Sequence, residues 1–138
     1  MDVILDTLRL GLPVLVLQFA VTLALLGIGV ALYMAITPFH EMRLIREGNA
    51  AAGIVLGASL VALAIPLAAT LATSQVTLDI VVWGIVALVL QLLTFAVATL
   101  LLLRGLREMI EAGNVGAAWM LAGLQLAVAL LNAGAMAG

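Results

Sequence analysis

Few residues in this chain could do chemistry. One histidine, His40, stands beside Glu41, and there is no cysteine. An imidazole next to a carboxylate can move a proton, but no nucleophile stands at a telling spacing from the pair. No phosphate-cradling loop or dinucleotide fingerprint occurs. Glu41, Glu47, Glu108 and Glu111 could share a metal ion only if the two segments that carry them packed together. The expectation is therefore a non-enzyme with no catalytic residue, no cofactor and no metal.

The densest run of functional groups is Pro-Phe-His-Glu-Met-Arg-Leu-Ile-Arg-Glu, residues 38–47. Thr37-Pro38 fits a helix N-cap followed by proline at the first helical position. On that helix His40, Arg43 and Glu47 share a face with Arg46 beside them, and Met42 and Ile45 lie roughly opposite. Arg43–Glu47, Arg104–Glu108 and Arg107–Glu111 are i, i+4 pairs, each worth a few tenths of a kcal/mol when exposed. Two readings stand. The segment is an interfacial helix with a solvated charged face, or it is a surface that contacts a partner or lipid headgroups through His40, Glu41, Arg43, Arg46 and Glu47.

The elements that must position these groups follow from composition. Of 138 residues, 67% are hydrophobic and only 9% are charged, and mean hydropathy is +1.38. A soluble surface would want roughly 25–35% charged residues. An ordinary cytosolic enzyme, a disordered chain and a basic nucleic-acid binder are excluded. Four stretches reach the roughly 20 apolar residues of a membrane span, at about 13–36, 50–73, 79–103 and 115–137. None holds a charge inside, Asp79 sitting at an edge, so no ionised side chain is expected within the bilayer. The apolar runs do not alternate with period two as the wall of a membrane barrel does. Leu and Ala dominate, and in lipid a helix satisfies its own backbone. The fold class is all-α, a polytopic membrane protein of four helices in a single domain, 1–138.

The N-terminus lacks a basic region before its apolar run, against a cleaved signal. Asp2, Asp6 and Arg9 fall on one helical face, so residues 2–10 read as a short interfacial helix or an extension of the first span. Arginine sets the orientation. The 37–49 connection holds Arg43 and Arg46, and the 104–114 connection holds Arg104 and Arg107. The 74–78 loop holds none and the N-terminal tail only Arg9. Both longer connections are expected in the cytoplasm and both termini on the outer side.

The chain also echoes itself 65 residues apart. Ile45-Arg46-Glu47-Gly48-Asn49 aligns with Ile110-Glu111-Ala112-Gly113-Asn114. Two helical hairpins, about 10–73 and 79–138, would then be tandem parallel repeats. Gly48 and Gly113 can take the left-handed conformation that stops a helix, and Asn49 and Asn114 can cap the next one.

Thr37-Pro38, Glu41, Leu44 through Ala52, Gly57 and Pro66-Leu67 resemble the signature of the YjfL-type inner-membrane proteins, domain-of-unknown-function family 350. The resemblance covers nearly the whole chain. It implies a bacterial inner membrane and no particular activity, and with the arginine distribution that puts both termini in the periplasm. This chain departs from the pattern at Val61, where the family has a small residue.

Within the spans, Gln18, Thr22, Gln91, Thr94, Gln125 and Asn132 supply polarity, alongside Ser59 and Thr99. They either hydrogen-bond between helices or line a path for a small solute or ion. Gly53 and Gly57 form a GxxxG, which favours close helix packing. Pro66 removes a backbone donor from the second span and should kink it. Two functions are in view. The first is a scaffold or accessory subunit with 38–47 as its docking surface, the chain being a homo-oligomer or part of a larger complex. The alternative is an oligomeric channel or small-solute transporter lined by the in-span Gln, Thr and Asn.

Overall fold

The computed structural model describes residues 2–37, 40–102 and 105–137, and within them every regular element is a helix. The elements are α1 (Asp2–Ile36), α2 (Glu41–Arg46), α3 (Ala50–Thr73), α4 (Thr77–Val97), a π-helical turn (Ala98–Leu102), α5 (Leu106–Glu111) and α6 (Val115–Ala137). Helices α1, α3, α4 with its π turn, and α6 are long and apolar enough to cross a membrane.

The centre is the pair α3 and α6, the most extensive contact in the molecule. The two run parallel: Asn49 meets Ile110 at one end and Thr70 meets Met136 at the other. Their buried faces are rich in small side chains. Ala51, Ala52, Val55, Ser59 and Ala62 of α3 are buried, as are Ala118, Ala122 and Ala129 of α6. Small residues let backbones approach where lipid offers no hydrophobic drive. Helix α4 runs antiparallel to α6, pairing Gln91 with Gln125 and Ala87 with Asn132.

Helix α1 packs on α4 by a reciprocal fit. A Cβ placed on Gly29 would lie 2.6 Å from Leu88, and one on Gly84 would lie 2.8 Å from Leu25. Each helix thus seats a leucine over the other's glycine, one turn apart. Tyr33 and Phe95 extend the contact edge-to-face, with ring centroids 4.6 Å apart.

The helices add detail that the expectations left open. Of the two uses open to the GxxxG, packing inside the bundle or against another chain, the first is not taken up among the described residues, since a Cβ on Gly53 or Gly57 would meet nothing within 4 Å. The buried face of α3 runs through the alanines beside them. Helix α1 starts at Asp2 and continues through Pro13, so residues 2–10 extend the first helix. Beyond Val97 the third span continues as a π-helical turn, Ala98–Leu102, in which the Thr99 hydroxyl donates to the Phe95 and Ala96 carbonyls. Pro66 is buried inside α3, which runs as one helix from Ala50 to Thr73. Val61 is half exposed and leaves the seam untouched.

Candidate functional site: a buried polar cluster beside Glu41

The short helix α2 differs from its expected form. It covers Glu41–Arg46 rather than 38–47, and its N-cap is His40, which makes no side-chain cap bond. Pro38 lies outside the described residues. The Thr37 hydroxyl does not cap α2 but donates to the Tyr33 carbonyl at the end of α1. Helix α2 lies against α3, and the two residues it buries are Glu41 and Leu44, one turn apart. His40, Met42, Arg43, Arg46 and Glu47 face outward.

Glu41 therefore leaves the exposed face on which the sequence put it. It is 2% exposed, and neither carboxylate oxygen has a hydrogen-bond partner. Burial pushes its carboxyl up to about 7, against a smaller opposite pull from the nearby Thr37 and Tyr33 hydroxyls. Tyr33, 1% exposed, has an unpartnered hydroxyl that lies among Glu41, Thr37, Ser59 and Gln125. Four helices thus converge on one polar pocket: α1 brings Tyr33, α2 Glu41, α3 Ser59 and α6 Gln125. A cavity of about 340 Å³ opens beside it, lined by Met34, His40, Glu41, Met42 and Arg43.

The in-span amides divide into two groups. Gln91 donates to the Gln125 carbonyl at 2.9 Å, and Asn132 donates to the Ala87 carbonyl at 3.3 Å. These bonds tie α4 to α6. Gln91 Oε1 and Gln125 Nε2 remain unpartnered. Thr22 and Thr94 instead serve their own helices, donating to the Gln18 and Leu90 carbonyls. Gln18 and Thr22 are half-buried on α1, away from the amide pair. At the opposite end a second cavity, about 450 Å³, is lined by Thr70, Ser74, Asp79, Trp83 and Asn132 among others.

The two Gly-Asn turns share one geometry. Gly48 and Gly113 take φ of +85° and +82°. Asn49 accepts from the Ala52 amide and Asn114 from the Ala117 amide, both at 3.1 Å. Asn49 adds a bond for which Asn114 has no counterpart among the described residues, donating to the Ile110 carbonyl at 2.7 Å. That bond locks the two connections together at one end of the bundle. Among the described residues Arg107–Glu111 is the ion pair that forms, at 3.1 Å, and Arg43–Glu47 is not. The expected Arg104–Glu108 pair lies outside the described residues. No group of three metal-capable His, Asp or Glu side chains gathers among the described residues.

Sequence reasoning missed Tyr33, Thr37 and Ser59 as members of the site. A signal was present: Tyr33, Thr37 and Glu41 fall four residues apart. The spacing marks one stripe that runs off the end of the first span and terminates in a carboxylate.

A profile of the family described as Domain of Unknown Function (DUF350) matches residues 7–136. The UPF0719 inner membrane protein YjfL of Escherichia coli strain K12 is 33% identical over 118 residues, covering 86% of this chain and 89% of that protein. The protein of the same name from Escherichia coli O157:H7 matches with the same identity and coverage. No solved structure matches.

Proposed function

Because the chain belongs to the DUF350 family, we propose that it is a non-enzymatic, multi-pass inner-membrane subunit that works by assembly. The observation that carries this reading is the isolation of α1. Of its 35 residues only Leu25, Gly29 and Tyr33 are buried. A 35-residue helix is about 50 Å long, well beyond a hydrocarbon core of about 30 Å. Its first four turns are exposed throughout. Gly53 and Gly57, with open space over both, supply a second unused packing stripe. The chain assembles through these faces, as a homo-oligomer or as a subunit of a larger complex. It presents Arg43, Arg46 and Glu47 with His40 to the cytoplasm as a docking surface.

The hairpins 10–73 and 79–138 are tandem parallel repeats in this reading. The matched φ angles and caps of the two Gly-Asn turns support it, as does the parallel pairing of α3 with α6.

Because the chain has no cysteine, the test is direct. Single cysteines at Leu5, Leu12 and Phe19 are placed in turn, and native membranes are treated with a bifunctional thiol reagent. Cross-linked species above the monomer, with yields that vary along α1, are expected. A single-chain mass in mild detergent, with no adduct from any site, overturns the reading. A second reading, conduction, draws on the unpartnered Gln91 Oε1 and Gln125 Nε2. Flux into liposomes that Gln91→Leu and Gln125→Leu abolish would favour it over assembly alone.

A further inference from the structure

An ionised carboxylate buried without a partner is costly enough that it must neutralise or find a counter-charge. Glu41 is in that position, and among the described residues no ion pair reaches it. Arg43 and His40 line the same cavity, but among the described residues neither forms an ion pair with Glu41.

Thr37 and Tyr33 lie beside Glu41, Ser59 and Gln125 lie beside Tyr33, and two of the three hydroxyls have spent their protons. Ser59 donates its hydroxyl proton to the Val55 carbonyl at 2.7 Å. Thr37 donates its own to the Tyr33 carbonyl. With their protons on backbone carbonyls both hydroxyls offer lone pairs to the cluster, and Thr37 reaches Glu41 as a donor only by giving up the Tyr33 carbonyl. The remaining donors are the Tyr33 hydroxyl and Gln125 Nε2, both unpartnered. The pocket holds more acceptors than donors, and its one formal charge is negative.

We propose that Glu41, Tyr33, Thr37 and Ser59 form a binding site for one monovalent metal cation, of which sodium is the representative. Hard alkali and alkaline-earth ions take oxygen ligands, and the donor set here is carboxylate and hydroxyl. Soft or borderline metals would want imidazole or thiolate, and His40 faces outward while cysteine is absent. One carboxylate neutralises one unit of positive charge. A divalent ion would leave a net charge in a low-dielectric pocket. Gln125 can turn its amide to present oxygen, which makes it a fifth ligand at need. The cavity beside Glu41 is the way in from the aqueous side. Binding would clamp α1, α2 and α3 on one ion. The site is independent of whether the chain assembles.

The test uses the purified full chain in detergent at about pH 8.5, above the usual carboxylate range. Sodium chloride replaces choline chloride at constant ionic strength. Unfolding is followed by the fluorescence of Trp83 and Trp119, and binding by equilibrium dialysis with radioactive sodium. A saturable rise in Tm and one ion bound per chain are expected. Glu41→Gln, uncharged and of the same shape, should abolish both. Ser59→Ala should weaken affinity about tenfold. No rise over choline in the unaltered chain overturns the proposal, and so does an equal rise in Glu41→Gln. Tight calcium binding in place of sodium also overturns it. If Glu41→Gln does not fold, Tyr33→Phe and Ser59→Ala decide the matter, and unchanged sodium affinity in both refutes the site.

Discussion

Asn49 accepts from the Ala52 amide and also donates to Ile110, whereas Asn114 makes only the first kind of bond. An N-cap is worth about 1 kcal/mol and a further hydrogen bond about 1 kcal/mol more. Asn49→Ala should therefore destabilise the chain about twice as much as Asn114→Ala, measured by thermal unfolding in one detergent. Equal losses would show that the cross-connection bond contributes nothing. The capping role of both residues was legible in the Gly-Asn spacing. The link to Ile110 was not, because it depends on two connections 61 residues apart meeting in space. Glu41 shows the same limit. Its helical face was readable, but the length of α2 and its packing on α3 decide which face turns inward. Its carboxyl, pushed up from 4.5 to about 7 by burial, makes a second prediction. The folded state holds the proton more tightly than the unfolded one, so the stability this adds is fully present below about pH 4.5. It is lost as pH rises through about 7, by about 3 kcal/mol at most. Unfolding midpoints from pH 5 to 8 in choline buffer should fall, and Glu41→Gln should flatten the slope. A slope unchanged by that substitution would assign it to another group.

At the scale of the element, hydropathy alone located four spans, because roughly 20 apolar residues without a charge have few other places to go. Which glycines touch a neighbour was not legible. GxxxG spacing marked Gly53 and Gly57, yet the close approaches are Gly29 under Leu88 and Gly84 under Leu25. The governing pattern is a leucine and a glycine one turn apart on each of two parallel helices, and it has meaning only once those helices are known to be partners. Gly84→Val should cost about 1–3 kcal/mol by overpacking against Leu25 and Leu67. Gly57→Val should change monomer stability little and lower any cross-linking yield that depends on that stripe. Unfolding of both variants in one detergent separates the two cases. A Gly57→Val variant as damaged as Gly84→Val would place that stripe inside the bundle after all. The π turn at Ala98–Leu102 was equally hidden, since Thr99 differs in no visible way from the other in-span threonines that bond back to their own helix.

For the whole molecule, the four spans are too alike in composition to say which should be central. The seam of alanines between α3 and α6 decides it, and that pairing brings the 37–49 and 104–114 connections to the same end. The same end carries Arg43, Arg46 and Arg107, while the 74–78 connection at the other end has no basic residue. Arginine near a span is retained on the cytoplasmic side, so the Glu41 pocket should face the cytoplasm and the Asp79 cavity the periplasm. Single cysteines at Ser74 and Asn114 read this out in a chain with no thiol of its own. In intact cells with a permeable outer membrane, an impermeant maleimide should label the Ser74 site and spare the Asn114 site until the inner membrane is broken. Labelling in the reverse order would invert the molecule and place the Glu41 pocket in contact with the periplasm, where external sodium would reach it first. Labelling of both sites from outside would be incompatible with α3 crossing the membrane between 49 and 74.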